Sequence, residues 1–117
     1  MPANKNPLVF LADIDQAIRE IVSFLSDGMD FDGFIKDVKT FRAVERNIGI
    51  IGEAVSQILK IDPCFPIENA RQIVDTRNCV IHGYSRISKK NIWTIIEDDL
   101  PKLQEQVKKI LEEEDAK

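Results

Sequence analysis

The sequence is short of the residues that build cross-linked or metal-bound proteins. It has two cysteines, Cys64 and Cys79, and one histidine, His82, among 117 residues. Two cysteines without a secretory leader predict reduced thiols in a cytoplasm rather than a disulfide framework. A single histidine is too few for a zinc site, which would need more cysteine or histidine ligands. We therefore expect no metal and no other cofactor.

Long apolar runs and strand patterns are missing as well. No stretch is apolar over the length that a bilayer requires, so we expect a cytoplasmic protein with no membrane partner. Glycine and proline number five each, and alternating apolar and polar residues are absent. Hydrophobic residues make up 44% of the chain, which is enough for a core. The length predicts a single domain over residues 1–117.

The charge is unevenly distributed. The net charge of −4 and the pI of about 5.0 argue against a general nucleic-acid binder. Residues 66–92 nevertheless carry five basic and two acidic side chains, a net +3, which leaves −7 for the rest. The acidic run at residues 112–115 is interpreted as a solvated helix end. The distribution of charge therefore matters more than its sum.

Apolar residues recur every three or four positions, which predicts helices throughout. The first helix is expected from about Pro7 to Ser26, with Asp27 and Gly28 as its stop. After a loop around residues 29–33, a second is expected from roughly Phe34 or Thr40 to Lys60. Gly49 and Gly52 lie within it. They indicate a packing or dimer surface, or are placed there by chance.

Two further helical segments follow. A third helix is predicted from near Pro66 to Ile81, with Gly83 as the residue that closes it. A fourth begins near Ser88 as N-cap, and Pro101 should kink or restart it. The sequence thus predicts an all-α fold, an antiparallel up-and-down bundle of four to five helices.

The residues able to carry chemistry are concentrated in residues 77–84. His82 is the one side chain whose ordinary pKa lies near neutrality, although a lone histidine is more often structural. Asn78 precedes it by four residues and shares its helix face, while Arg77 lies about 140° round the helix. Tyr84 follows just after Gly83. One short segment gathers a fixed cation, an amide, an imidazole and a phenol.

This set suits metal-free cleavage of RNA. The ribose 2′-hydroxyl attacks the adjacent phosphorus, and His82 takes the hydroxyl proton or protonates the leaving oxygen. Arg77 would hold the phosphate and offset its developing charge. Asn78 would orient the imidazole or the phosphate, and Tyr84 would contact the phosphate or stack on a base.

The motif Arg77-x4-His82-x-Tyr84, with Asn78 directly after the arginine, resembles the signature of the HEPN superfamily. It is most similar to the HepT-like toxin branch. Residues 43–54 resemble the second helix of that branch. Trp93 with Asp98-Asp99-Leu100-Pro101 resembles its last helix. The similarity covers nearly the whole chain in the right order.

The resemblance implies a function in some detail. Members are helical homodimers whose two motifs face one cleft, and they are ribonucleases that need no metal. They are typically toxins of bacterial toxin–antitoxin pairs, and some act on tRNA. Their partner is a minimal nucleotidyltransferase antitoxin, which adenylylates the motif tyrosine, here Tyr84. The resemblance therefore implies an endoribonuclease toxin with RNA as substrate and Arg77, His82 and Asn78 as catalytic residues.

Other interpretations remain open. The chain could be a non-catalytic helical dimer that binds a nucleotidyltransferase partner or a nucleotide, with the motif as a docking or modification site. Asn78 could cap its own helix, and Tyr84 could pack at the loop. Arg46 and Glu53 could line the cleft, or equally form a solvent-facing polar stripe or an ion pair. Trp93 is expected in the core, and Cys79 is expected to face it.

Overall fold

The computed structural model of this chain describes residues 6–25, 28–67, 72–75 and 85–115. Its helices are α1 (Pro7–Phe24), α2 (Phe31–Lys36), α3 (Val38–Ile61), α4 (Ser85–Thr94) and α5 (Leu100–Asp115), with one π-helical turn at Ile95–Asp99. Residues 72–75 are helical too, and the described ranges contain no strand. The predicted all-α class is confirmed.

Helices α1 and α3 pack antiparallel along their length. Phe10 and Asp13, near the start of α1, lie beside Glu53 and Gln57 in the later half of α3. The end of α1 lies instead beside the earlier half of α3. The core lies between α1 and α3 and between α1 and α5. Its fully buried side chains on these helices are Leu11, Ile14, Ile18, Ile21, Val44, Ile48, Ile51, Val55, Ile58, Leu103 and Val107. This packing confirms the antiparallel bundle.

Helix α1 begins where predicted and ends slightly early. Asn6 is its N-cap, with Oδ1 accepting from the Leu8 backbone N–H at 3.0 Å, and Pro7 occupies the first turn. The predicted end at Ser26 is not reached, because Leu25 adopts an extended backbone with ψ 126°. Gly28 follows with φ 77°, the left-handed conformation expected of the stop. Ser26 and Asp27 lie outside the described residues.

The predicted loop at residues 29–33 is wrong in its second half. Helix α2 starts at Phe31, because the Asp30 carboxylate accepts from the Gly33 backbone N–H at 2.8 Å and caps a short helix. Asp37 then caps α3 in the same way through Thr40, at 3.1 Å to its N–H and 2.8 Å to its hydroxyl. The Asp30 cap thus begins α2, and the Asp37 cap separates α2 from α3 where one helix was expected.

The third predicted helix is described only in part. Pro66 and Ile67 are not helical, whereas residues 72–75 are. Ile73 and Val74 are buried, as expected. The rest of this predicted helix, at residues 68–71 and 76–81, lies outside the described residues, as does Gly83.

The start predicted at Ser88 is wrong. Helix α4 already begins at Ser85, so Ser88 is inside it. A serine in a helix interior costs only about 0.5 kcal/mol relative to alanine, so it need not mark a boundary.

Pro101, where a kink or restart was expected, lies at a change of helix type within a continuous helical path. It lies in the first turn of α5, directly after the π-helical turn, where the Leu100 N–H donates to Ile95 O five residues back. Proline has no N–H for the preceding turn and its ring crowds the carbonyl four residues earlier. The wider turn provides room for it.

Candidate functional site

The motif segment lies between two elements anchored in the core. Ile73 and Val74 precede it with 1% and 8% exposure, and α4 begins at Ser85, directly after Tyr84. Ile92, two turns into α4, is fully buried. The motif is therefore attached on both sides to packed structure.

The predicted site residues themselves lie outside the described residues. This applies to Arg77, Asn78, His82 and Tyr84, and to Cys79, whose expected position facing the core is equally untested. Their roles stay predictions from the sequence. The surroundings that the structure does describe are the first turns of α4, the aromatic residues beneath it, and the surface between α1 and α3.

The start of α4 favours anions. A helix N-terminus carries a partial positive charge, and the one at Ser85 immediately follows the motif. Lys89 and Lys90 are both exposed on the same helix. The Lys89 Nζ lies 5.7 Å from the centroid of the Phe41 ring, a cation–π contact that ties α4 to α3. Of the five basic residues at 66–92, Lys89 and Lys90 are those whose side chains the structure describes.

An aromatic cluster holds α4 in place. The rings of Phe34 and Trp93 lie 5.2 Å apart, those of Phe34 and Phe41 5.4 Å, and those of Phe31 and Trp93 6.2 Å. Phe34 is fully buried and Phe41 nearly so, while Trp93 is half-buried and packed against the core. Trp93 therefore belongs to the core margin. Its contacts fix the helix that follows the motif.

The π-helical turn contains a buried carboxylate. Asp99 is 7% exposed, whereas its neighbour Asp98 is exposed. Burying a carboxylate costs free energy unless neighbouring groups compensate for it. Apolar spacing in the sequence does not distinguish Asp98 from Asp99, because the π-helical turn shifts the helical register.

A groove runs along the surface between α1 and α3. It has a volume of about 450 Å³ and is lined by Phe10, Asp13, Arg46, Gly49, Ile50, Glu53, Ala54 and Gln57. Arg46 and Glu53, which the sequence left undecided, are both exposed and both line it. The Gln57 side chain donates to Glu53 Oε1 at 3.1 Å. The two side chains face solvent and line this groove. That they line the cleft of the motif stays a prediction, because residues 77–84 lie outside the described ones.

A second hollow continues the first toward the other end of α1. It measures about 400 Å³ and is lined by Glu20, Phe24, Ala43, Arg46, Asn47 and Ile50. Arg46 and Ile50 line both hollows, so the two form one surface feature, which we call the α1/α3 groove. Of the two glycines on α3, Gly52 is buried by packing, whereas nothing lies within 4 Å of where a Cβ on Gly49 would be.

Asn47 is a buried polar residue that sequence reasoning missed. It is 3% exposed, and its Nδ2 donates to Ala43 O at 3.0 Å. Its Oδ1 is buried without a hydrogen-bond partner, which is uncommon in native proteins. An asparagine at a core position of an apolar stripe was the available signal.

The described part of the chain has neither a metal site nor a membrane-spanning helix. Over these ranges, no three His, Cys, Asp or Glu side chains are grouped as a metal site would require. Cys64 is exposed with a free thiol. No helix there is both long and apolar enough to cross a bilayer.

Comparison with known proteins gives a consistent result. The sequence model of a family described as "Ribonuclease HepT-like" matches residues 14–110. A candidate RNase from Methanocaldococcus jannaschii is 32% identical over 93% of this chain and 90% of its own. One from Caldanaerobacter subterraneus is 32% identical over 94% and 98%. A candidate ribonuclease HepT from Thermococcus cleftensis is 31% identical over 86% and 92%. No solved structure matches.

Proposed function

This chain belongs to the HepT-like ribonuclease family of the HEPN superfamily, and we propose that it is an endoribonuclease with its catalytic residues at 77–84. The observation that carries the proposal is the extent of the family match. It spans residues 14–110 and so includes the whole motif segment. Family membership supports ribonuclease activity and an RNA substrate. The catalytic residues and the reaction below are our proposal.

The proposed reaction is an internal transesterification. The 2′-oxygen of one ribose forms a bond to the adjacent phosphorus as the bond from phosphorus to the next 5′-oxygen breaks. His82 takes the 2′-hydroxyl proton or gives a proton to the leaving 5′-oxygen, work worth a factor of about 10² to 10⁴ in rate. The products are a 2′,3′-cyclic phosphate and a 5′-hydroxyl end. The step needs no metal and no other cofactor.

Arg77 and Asn78 hold the reacting groups. A guanidinium can donate two parallel hydrogen bonds to phosphate oxygens, and it offsets the charge that builds there during the attack. Asn78 orients either the imidazole or the phosphate. The positive end of α4 and the exposed Lys89 and Lys90 support this assignment, because they favour an anionic substrate beside the motif.

We further propose a toxin role with regulation at Tyr84. The chain would act as a homodimer with a composite site, on tRNA or another RNA of the cytoplasm. A minimal nucleotidyltransferase antitoxin would be its partner. In that modification the Tyr84 oxygen bonds to the α-phosphorus of ATP and pyrophosphate leaves, so that AMP blocks the site.

The test is cleavage of total tRNA in EDTA by purified protein. Wild-type protein should cut and leave cyclic-phosphate ends, while His82→Ala and Arg77→Ala should be inactive. Arg19→Ala is the matched control, since Arg19 is an exposed arginine paired with Asp15 at 3.0 Å on α1. It should cut like the wild type.

Other outcomes separate the alternatives. Strict dependence on magnesium would contradict the proposed mechanism. If neither the wild type nor any variant cuts, and circular dichroism shows an intact helical fold, the result would favour the non-catalytic dimer that binds a nucleotidyltransferase or a nucleotide. Intact-mass measurement belongs with that result, because an added AMP on Tyr84 would identify a silenced enzyme instead.

A further inference from the structure

We propose that α4 binds the RNA strand that flanks the scissile phosphate, with Lys89 and Lys90 of α4 and Arg42 of α3 as its phosphate contacts. The scissile phosphate itself is placed at residues 77–84 by the proposed function, on which this inference rests. What is added is the side of the motif along which the substrate continues, and the side chains that bind it there.

Helix α4 differs in charge from the rest of this acidic chain. Its ten residues include Arg86, Lys89 and Lys90 and no aspartate or glutamate. Each of the other four helices in the described part of the chain carries carboxylates, and the net charge of the whole chain is −4. The repeating phosphates of a nucleic acid are therefore attracted to α4 more than to the other described helices.

The basic positions share one side of α4. Positions 86, 89, 90 and 93 are separated by three or four residues, so they are neighbours along the helix surface. Lys89 lies about 6 Å along the axis from Ser85, the residue that directly follows the motif. A strand that leaves the motif along this side therefore meets the two lysines within its first nucleotides.

The positive surface ends one turn beyond the lysines. Trp93 is half-buried in the aromatic cluster, and its ring lies 5.2 Å from that of Phe34. Glu97 and Asp98 follow on the π-helical turn, and both are exposed. Carboxylates at that point repel a phosphate backbone, so the bound strand is confined to the part of α4 beside the motif.

Both lysines are available to a phosphate. Each is exposed, and neither forms a salt bridge within the described part of the chain. The Lys89 Nζ lies 5.7 Å from the centroid of the Phe41 ring, a contact that restricts the side chain without neutralising its charge. Because Lys89 is already ordered in part, less conformational entropy is lost when it binds a phosphate.

Arg42 extends the positive surface from α4 to α3. It directly follows Phe41, the residue that Lys89 contacts, and its side chain is 77% exposed. Its Nη1 lies 3.4 Å from Glu45 Oε1, and an exposed ion pair of this kind is weak. A phosphate can replace that carboxylate, because a guanidinium donates two parallel hydrogen bonds to phosphate oxygens.

The experiment is fluorescence anisotropy of a labelled, single-stranded 2′-O-methyl oligoribonucleotide, titrated with full-length protein at several salt concentrations. This RNA has no free 2′-hydroxyl and cannot be cut, so binding is measured whether or not the protein is a ribonuclease. Lys89→Gln, Lys90→Gln and Arg42→Gln should each lower the slope of log affinity against log salt by about 0.7, the release of counterions from one phosphate contact. At about 0.1 M salt each variant should bind about fivefold more weakly.

Lys108→Gln and Lys109→Gln are the matched controls, since they are an adjacent pair of exposed lysines on α5. They should leave the affinity and the slope unchanged. Lys90→Gln and Arg42→Gln keep the contact between Lys89 and Phe41, so a loss that they share with Lys89→Gln does not arise from that contact.

Three results would overturn the proposal: no binding by the wild type, unchanged binding in the three variants, or equal losses in the α5 controls. The last would mean that RNA responds to net charge alone. If the three variants lose binding while the wild type cuts no tRNA in EDTA, the RNA surface on α4 is upheld and the proposed reaction is refuted.

Discussion

Replacing Asn47 by leucine should stabilise this protein, because the asparagine buries an acceptor that has no donor. Its Oδ1 has no hydrogen-bond partner and the residue is 3% exposed. A buried unsatisfied polar group costs about 1–3 kcal/mol. Leucine has the same branched shape without the polar atoms, so it removes this cost and adds apolar surface to the interface between α1 and α3.

The loss that opposes this gain is small. Asn47 Nδ2 donates to Ala43 O at 3.0 Å, a bond worth about 0.5–1.5 kcal/mol net. The Ala43 carbonyl keeps its own helical partner, the backbone N–H four residues later. Leucine also has a higher helix propensity, by a few tenths of a kcal/mol. The free energy of unfolding should therefore rise by about 1–2 kcal/mol, which corresponds to about 5 °C in Tm.

The assay is urea and thermal unfolding followed by circular dichroism, at one fixed protein concentration because dimerisation adds to apparent stability. Asn6→Ala is the matched contrast. Its Oδ1 accepts from the Leu8 N–H at 3.0 Å and caps α1, so its loss should cost about 1 kcal/mol. A lower unfolding midpoint for Asn47→Leu would refute the reasoning and indicate a donor that reaches Oδ1 in solution.

Two further predictions concern the fold. In urea titrations, Ile48→Ala should cost about 2–5 kcal/mol, because the side chain is 1% exposed, whereas Val22→Ala, at 59% exposure, should cost less than about 0.5 kcal/mol. The Thr40 backbone N–H and hydroxyl, which donate to the Asp37 carboxylate, hold the pKa of Asp37 below its ordinary 3.8. This cap therefore stabilises α3 above the unfolded pKa, and its contribution disappears as the pH falls through the folded one. Asp37→Asn should cap nearly as well at neutral pH and show a flatter acid titration of stability.

Much of the helix pattern follows from apolar spacing, as α1 and α3 show. Ile14, Ile18, Ile48 and Ile51 recur at helical intervals and are all buried. Spacing gives the direction of the buried face but not its width. Val22 follows Ile18 by four residues, a helical interval, yet it is exposed. Burial at such a position depends on whether a neighbouring helix reaches that far.

Features shorter than two helical turns escaped prediction. Helix α2 has six residues, too few to display a period, and its existence depends on the caps at Asp30 and Asp37. The π-helical turn before Pro101 shows how a proline is accommodated inside a continuous helical path. The sequence indicated a break there, but whether the chain kinks, restarts or widens its turn is decided by the packing around it.

The candidate site divides in the same way. Residue type and spacing, together with the family resemblance, predict chemical roles for Arg77, Asn78, His82 and Tyr84, and these roles remain predictions. The α1/α3 groove was not predicted from the sequence, because Arg46 and Glu53 line it only together with residues of α1. In the sequence, Gly49 and Gly52 equally indicate a packing or dimer surface. The structure separates a buried glycine from one beside the groove.

Cleavage should depend on protein concentration if the proposed composite site is correct. Below the dimer dissociation constant, the wild-type protein should lose most of its cleavage per protomer. Raising its concentration about tenfold should recover that activity, since mass action repopulates the dimer. Sedimentation equilibrium at the same concentrations gives the fraction of dimer against which cleavage is compared. Full activity in a monomeric protein would instead mean that one protomer holds a complete site, because no second motif would then be needed to move either proton.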